Sequence, residues 1–297
     1  MIMLPETFSP GFLRQLEILR IRARRAFLGT RQGGHVSIRK GHGIEFSDFR
    51  KYELGDNPRH IDWGVYARSD RLFVKRFQEE EDLSVLIIID GSGSMIANPS
   101  DRKWDRARDL SLSLAYMALI EQDTVIFSVP GLLDPGTYTG AKSLHVLGSR
   151  LLKTTPGGNP NLAREIQRCA ARIRFPGKAI ILSDFMMPKD ELERVMQPLR
   201  AKNLDISAIQ VLGPSDINPF ESLSYPIVKD SETEEIVSLS HDPETVAAYE
   251  ERFEAHSRAV EDVMRGSQIQ FARMNPSDDI VPFLINNLTG IGLLKRS

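Results

Sequence analysis

Asp90, Ser92 and Ser94 alternate with Gly91 and Gly93 in the stretch Ser84-Val-Leu-Ile-Ile-Ile-Asp-Gly-Ser-Gly-Ser-Met95. One carboxylate and two hydroxyls on a tight turn can aim at a common point, because the glycines let the backbone fold closely between them. Hard oxygen donors of this kind suit Mg²⁺ or another small divalent cation. Other chemistries fit these residues worse. A dinucleotide loop needs a third glycine in Gly-x-Gly-x-x-Gly, whereas position 96 is Ile96, and a phosphate loop needs a Gly-Lys-Ser/Thr that is absent. A nucleophile elbow reads Gly-x-Ser-x-Gly, for which Gly91-Ser92-Gly93 is too short. The bland alternative is a plain Gly/Ser turn after a strand.

The elements around this turn decide whether it can act. Five consecutive aliphatics, Val85 to Ile89, show no alternation and read as a strand buried on both faces, as in a parallel sheet covered by helices. Asp90 therefore falls at a carboxyl end, the edge where open α/β sheets bind ligands. Lys178-Ala-Ile-Ile-Leu-Ser-Asp184 reads as a second such strand, again finishing in an acid. If the two strands are neighbours, Asp90 and Asp184 converge at one sheet edge.

Strand and helix patterns alternate from 84 to 212. Strands are expected at 124–129 and 205–212, and helices at 103–121, 161–173 and 190–202. The helix at 103–121 is apolar nearly all round and must be largely buried. This alternation predicts right-handed crossovers and a doubly wound, mainly parallel sheet with helices on both faces. Asp242 and Pro243 open another helix as N-cap and first residue, Gly266 can close it, and His256 lies on its apolar face as a core or boundary residue. A last strand is expected at 269–274, and the apolar residues 283–294 as a terminal helix packed on the domain.

Ahead of the sheet, residues 11–28 read as a helix ending in Arg20, Arg22, Arg24 and Arg25. Residues 33–77 read as a small β-rich segment, with extended pieces at His35–Arg39 and Leu72–Phe77 separated by turn residues. Arg50, Arg59 and Arg68 can each fork onto a carboxylate such as Asp56 or Asp62, as a structural frame or as a docking surface. The acid run Glu79-Glu-Glu-Asp82 marks a boundary, dividing an N-terminal segment (1–82) from the main domain (83–297).

The chain has 297 residues and 41% hydrophobic content, enough for one large or two modest domains. Its net charge of −2 argues against nucleic acid as the main partner. Its single cysteine, Cys169, cannot form an internal disulfide, which fits a reducing compartment. No apolar run approaches the roughly 20 residues of a membrane helix and the N-terminus does not read as a secretion signal, so a cytoplasmic protein is expected.

Asp90-Gly-Ser-Gly-Ser94 followed by Ser183-Asp184 resembles the metal-ion-dependent adhesion site (MIDAS) of von Willebrand factor A domains. The block Phe46-Ser-Asp-Phe-Arg-Lys-Tyr-Glu-Leu-Gly-Asp-Asn-Pro-Arg-His-Ile-Asp-Trp63, with Ala67-Arg68, narrows the resemblance to the bacterial domain-of-unknown-function 58 family. Members of that family are typically encoded beside MoxR-type AAA+ ATPases. The resemblance implies that Ser92 and Ser94 bind the cation directly, Mg²⁺ or alternatively Mn²⁺ or Ca²⁺, while Asp90 and Asp184 hold it through water. Such sites normally add a threonine from a Gly-Gly-Thr-x-Leu loop. Here the loop reads Gly157-Gly-Asn-Pro-Asn-Leu162, which puts Pro160 in the threonine slot and leaves Asn159, Asn161, Thr155 or a water to complete the shell.

The function implied by this resemblance is a non-enzymatic, metal-dependent interaction module, an adaptor that works with a MoxR-type ATPase on client proteins. A partner Asp or Glu would supply the last metal ligand. The second reading is a metal-dependent hydrolase, such as a phosphoesterase, with His42 or His60 as general base. The third is a metal-independent scaffold.

Overall fold

A computed structural model describes residues 4–22, 44–56, 58–79, 83–158, 160–173, 177–222, 227–229, 236–238 and 242–296. The chain divides into two compact units, one formed by Met1–Phe27 with Leu83–Ser297 and the other by Leu28–Asp82. The expected boundary at 82 and 83 is where the second unit ends. The N-terminal residues, expected with that segment, instead group with the main sheet, because Phe8, Leu16, Leu19 and Ile21 are buried in its core.

The chain opens with α1 (Pro10–Leu16), capped by Ser9, whose hydroxyl accepts from Phe12 N. The helix expected to reach residue 28 stops here. Strand β1 (Leu19–Ile21) follows, because Leu19 and Ile21 are buried on either side of exposed Arg20, a period-2 pattern.

The second unit is a hairpin of β2 (Ile44–Lys51) and β3 (Phe73–Glu79), antiparallel with an irregularity between Phe46 and Asp48. Between them lies α2 (Trp63–Ser69), a helix where only β structure was expected. Asp62 accepts from Gly64 N (2.9 Å) and Val65 N (3.0 Å), a strong N-cap signal that starts the helix. Arg50 Nη2 donates to Asp56 Oδ1 at 2.6 Å, and Asp56 Oδ2 accepts from Glu53 N, so this acid pins the turn between the strand and the helix. Arg68 donates to Gly64 O within its own helix. The expected extended piece at 35–39 lies outside the described residues.

The main sheet follows in order: β4 (Ser84–Ile89), α3 (Lys103–Ile120), β5 (Thr124–Val129), β6 (Leu133–Thr139), α4 (Ser143–Leu151), α5 (Leu162–Ala170), β7 (Gly177–Ser183), α6 (Lys189–Ala201) and β8 (Asp205–Val211). Two short helices, α7 (Pro214–Ile217) and α8 (Pro219–Ser222), a small hairpin of β9 (Ile227–Lys229) and β10 (Ile236–Ser238), α9 (Pro243–Gly266) and β11 (Gln270–Met274) come next. The chain then runs through α10 (Ile280–Pro282), a π-helical turn at Phe283–Leu288 and β12 (Leu294–Arg296), which pairs antiparallel with β1. Asp242 caps α9 through Thr245 N, and the helix runs through Gly266; the left-handed residue after it is Gln268.

The sheet order is β11-β8-β7-β4-β5-β6, parallel throughout except for β6. This is a doubly wound α/β fold. β6 was not anticipated, because Asp134, Pro135 and Gly136 interrupt its pattern; as an antiparallel edge strand it tolerates the proline. Val85, Ile87 and Ile89 pack into one core with α3 and the terminal segments, while Leu86 and Ile88 pack into the other with α5, α6 and α9. The unalternating aliphatic run is thus explained by two buried faces. From β4 the chain crosses to β5 on one side, and β7 lies on the other, so the topological switch point falls at the carboxyl ends of β4 and β7.

Candidate metal centre

β4 and β7 are neighbours, paired from Ser84↔Gly177 to Ile89↔Leu182. Asp90 N donates to Leu182 O at 2.8 Å, which carries the ladder to the last residue before the turn. The parallel register delivers Asp90 and Asp184 to the same edge. There they line a cavity of about 80 Å³ together with Ser92, Ser94, Pro160, Leu162, Met186, Met187, Pro188 and Glu191. All four expected metal-binding residues thus gather in one place.

The turn is held tightly from outside. Gly93 N donates to Gly158 O (2.8 Å) and Gly157 N to Gly91 O (2.9 Å), so the glycine loop before α5 clamps the Asp90–Ser94 turn. A side chain at Gly91 would meet Leu132 Cδ1 at 2.7 Å and Val129 Cγ1 at 2.8 Å, so only glycine fits without rearrangement. Ser92 occupies the N-cap of a single 3₁₀ turn (Gly93–Ile96) without spending its side chain on the cap. Its hydroxyl lies 2.9 Å from that of Ser94.

Asp90 is buried, and its partners are neutral: Ser183 Oγ donates to Oδ2 (2.7 Å) and Ser92 N to Oδ1 (2.9 Å). Burial, and then the nearby Asp184 carboxylate, push its carboxyl above the ordinary carboxylate range. Asp184 is positioned by the turn after it. Phe185 has φ +52°, a left-handed conformation that a bulky side chain avoids, and its fully buried ring fixes the strained turn. Phe185 N donates to Ser183 Oγ (2.9 Å), Gln210 Nε2 donates to Asp184 O (2.9 Å), and His256 Nε2 lies 2.9 Å from Phe185 O. The histidine, expected as a core or boundary residue, thus braces the loop that carries Asp184.

Lys103 was not singled out in the sequence. Its ammonium, almost completely buried, donates to Asp184 Oδ2 (2.9 Å) and to Asp216 Oδ1 (2.8 Å). Burial opposes its charge, yet Asp184 and Asp216 outweigh it and hold the ammonium above its ordinary pKa. Ser183 and Gln210 were also assigned no role. The short-range signal for these three is faint, since a lysine opening a helix and polar residues within strands are common.

Pro160, which the resemblance puts where a threonine is expected, lines the cavity without offering an oxygen from its side chain. Asn161 uses its amide oxygen to cap α5, accepting from Arg164 N at 2.9 Å, and Thr155 is exposed on the loop. Asn159 lies outside the described residues. Among the described residues no three His, Cys, Asp or Glu side chains gather to hold a metal. The donor set is instead two carboxylates and two hydroxyls, with a buried acid whose partners are all neutral. This set fits a hard, oxygen-seeking divalent cation, and gives no support to a softer ion that prefers nitrogen or sulfur. When bound, the cation would supply a Lewis-acidic position for an anionic oxygen.

The family model for a protein of unknown function, DUF58, matches residues 48–259. The chain belongs to the DUF58 family. It is 26% identical over 274 residues to an uncharacterized protein of Mycobacterium tuberculosis and, equally, to one of Mycobacterium bovis; the match spans 87% of this chain and 83% of each relative. Among solved structures, this DUF58 chain is similar to BatB from Bacteroides thetaiotaomicron, at 14% identity and a TM-score of 0.42, covering 70% of this chain and 98% of that one. It is also similar to an aerotolerance-related membrane protein from Bacteroides fragilis, at 13% identity and a TM-score of 0.33, covering 62% of this chain and 99% of that one. Among the described residues of this DUF58 protein, no helix is long and apolar enough to cross a membrane.

Proposed function

We propose that this DUF58 protein is a metal-dependent protein-interaction module, and that it serves as an adaptor for a MoxR-type AAA+ ATPase in the remodelling or assembly of client proteins. The observation that carries the reading is the gathering of Asp90, Ser92, Ser94 and Asp184 around one cavity at the switch point of the sheet. Neutral hydroxyls leave a bound Mg²⁺, Mn²⁺ or Ca²⁺ under-neutralised, so an Asp or Glu from a partner can complete its shell. The von Willebrand factor A-like arrangement of the motif, and the association of the family with MoxR-type ATPases, support the choice of partner.

A docking site is favoured over a hydrolytic centre because no histidine lines the cavity among the described residues. His42 lies outside the described residues, and His60 belongs to the second unit. The test is recovery of the ATPase by wild-type and Asp90→Ala protein, each with Mg²⁺ and with chelator. Recovery only by wild-type protein with Mg²⁺ supports the reading; equal recovery in all four refutes metal-bridged recognition. Turnover of generic phosphoesters that depends on Asp90 would favour the hydrolase instead.

A further inference from the structure

The metal edge already contains a cation. Lys103 Nζ lies 2.9 Å from Asp184 Oδ2 and 2.8 Å from Asp216 Oδ1, with its side chain 1% exposed. The surroundings fix it in place. Lys103 opens α3 directly after Arg102, whose φ is +54°. Just before them Asp101 accepts hydrogen bonds from the backbone and hydroxyl of Ser215, which ties the start of α3 to α7. Asp216 also accepts from Gly213 N (2.8 Å), and its carbonyl accepts from Tyr249 OH on α9 (2.6 Å). The ammonium on α3 is thus held by Asp216 of α7, whose backbone α9 braces through Tyr249.

We propose that Lys103 is a built-in counter-cation of the metal centre, holding Asp184 in position without metal and keeping a bound divalent ion weakly held and exchangeable. The inference rests on the metal reading above. With Asp90, Asp184 and Asp216 ionised and Lys103 protonated, the cluster carries two net negative charges, spread between the cavity and the lysine site behind it. Asp184 serves both cations, so the fixed ammonium draws on the charge that would otherwise go to the metal, and the two like charges repel at short range in a poorly screened site. Lys103 makes one of its two bonds to Asp216, which lies outside the cavity lining. Its second bond falls on an acid of the metal cavity, and this ties its charge to metal affinity.

Two opposite perturbations of the full chain test this. Lys103→Met keeps the length of the stem and removes the charge, leaving three negatives; Asp216→Asn keeps the lysine and removes a carboxylate, leaving one. Calorimetric titration with Mg²⁺ and Mn²⁺ at pH 8, paired with melting in chelator, reads both. Lys103→Met should melt below wild type in chelator yet bind metal about tenfold more tightly, and Asp216→Asn should bind several-fold more weakly. Lower melting of Lys103→Met with unchanged or weaker metal affinity would overturn the proposal and leave a structural ion pair. If Lys103→Met does not fold, unchanged affinity in Asp216→Asn overturns it equally. Wild-type protein that gives no heat with either metal would remove the metal reading itself and this inference with it.

Discussion

Replacing Asp90 by asparagine should stabilise the metal-free protein. In the native fold the carboxylate accepts from Ser183 Oγ and Ser92 N, and an amide of the same shape can keep both contacts, with its oxygen facing Ser92 N and its nitrogen facing the serine oxygen. Two hydrogen bonds to a charged acceptor become neutral ones, a loss of roughly 1 kcal/mol each. Against this, a buried ion carries an effective penalty of several kcal/mol, and here a second carboxylate nearby adds to it. The net expectation is a gain of about 1–3 kcal/mol. At roughly 2–4 °C per kcal/mol for a unit of this size, the melting temperature in chelator rises by roughly 2–12 °C. The pH dependence follows from the direction of the shift. A carboxyl whose folded-state pKa is raised contributes stability that is fully present below its unfolded value and is lost as the pH climbs from there through the raised value. The advantage of Asp90→Asn is therefore small near pH 4 and grows as the pH rises. Thermal melts in chelator at pH 4 and pH 8, then with millimolar Mg²⁺, make the comparison; added metal should raise wild type and leave the variant unchanged. An Asp90→Asn protein that melts below wild type in chelator at pH 8 would show that the carboxylate is a net stabiliser, and the reasoning would fail.

Pro160→Thr restores an oxygen to the cavity lining and should tighten Mg²⁺ binding in calorimetry; unchanged affinity would mean another group already fills that position. Gly91→Ala places a methyl 2.7 Å from Leu132 Cδ1, so it should cost about 1–3 kcal/mol in urea unfolding and weaken metal binding as the turn shifts. Phe185→Ala removes a fully buried ring that pins a strained turn; a loss of about 3–5 kcal/mol is expected, with weakened metal binding in whatever protein folds. Asp242→Ala should cost about 1 kcal/mol and speed hydrogen exchange in the first turn of α9, and protection equal to wild type there would argue against its role as a cap.

Much of the site could be read from the chain because its parts are short-range. Val85 to Ile89 encode a strand with two buried faces, and an acid directly after such a strand must sit at its carboxyl end. The same local logic placed Asp184, α3, and the cap of α9. Where several patterns were compatible with one stretch, packing decided. Arg20 to Ile21 continue a plausible helix, yet pairing with β12 at the far end of the chain makes them a strand, because that buries Leu19 and Ile21. Asp134 to Gly136 carry no strand signal, and β6 forms because β5 offers an open edge. The cation beside Asp184 is the extreme case. Lys103 meets Asp184 across 81 residues of chain and Asp216 across 113, and no periodicity or cap links positions so far apart. The sequence determined which strands end in oxygen donors, since propensity and capping act over a few residues. Only the tertiary structure decided what charge stands beside them, since that depends on which helix start and which loop the folded sheet brings to the same edge.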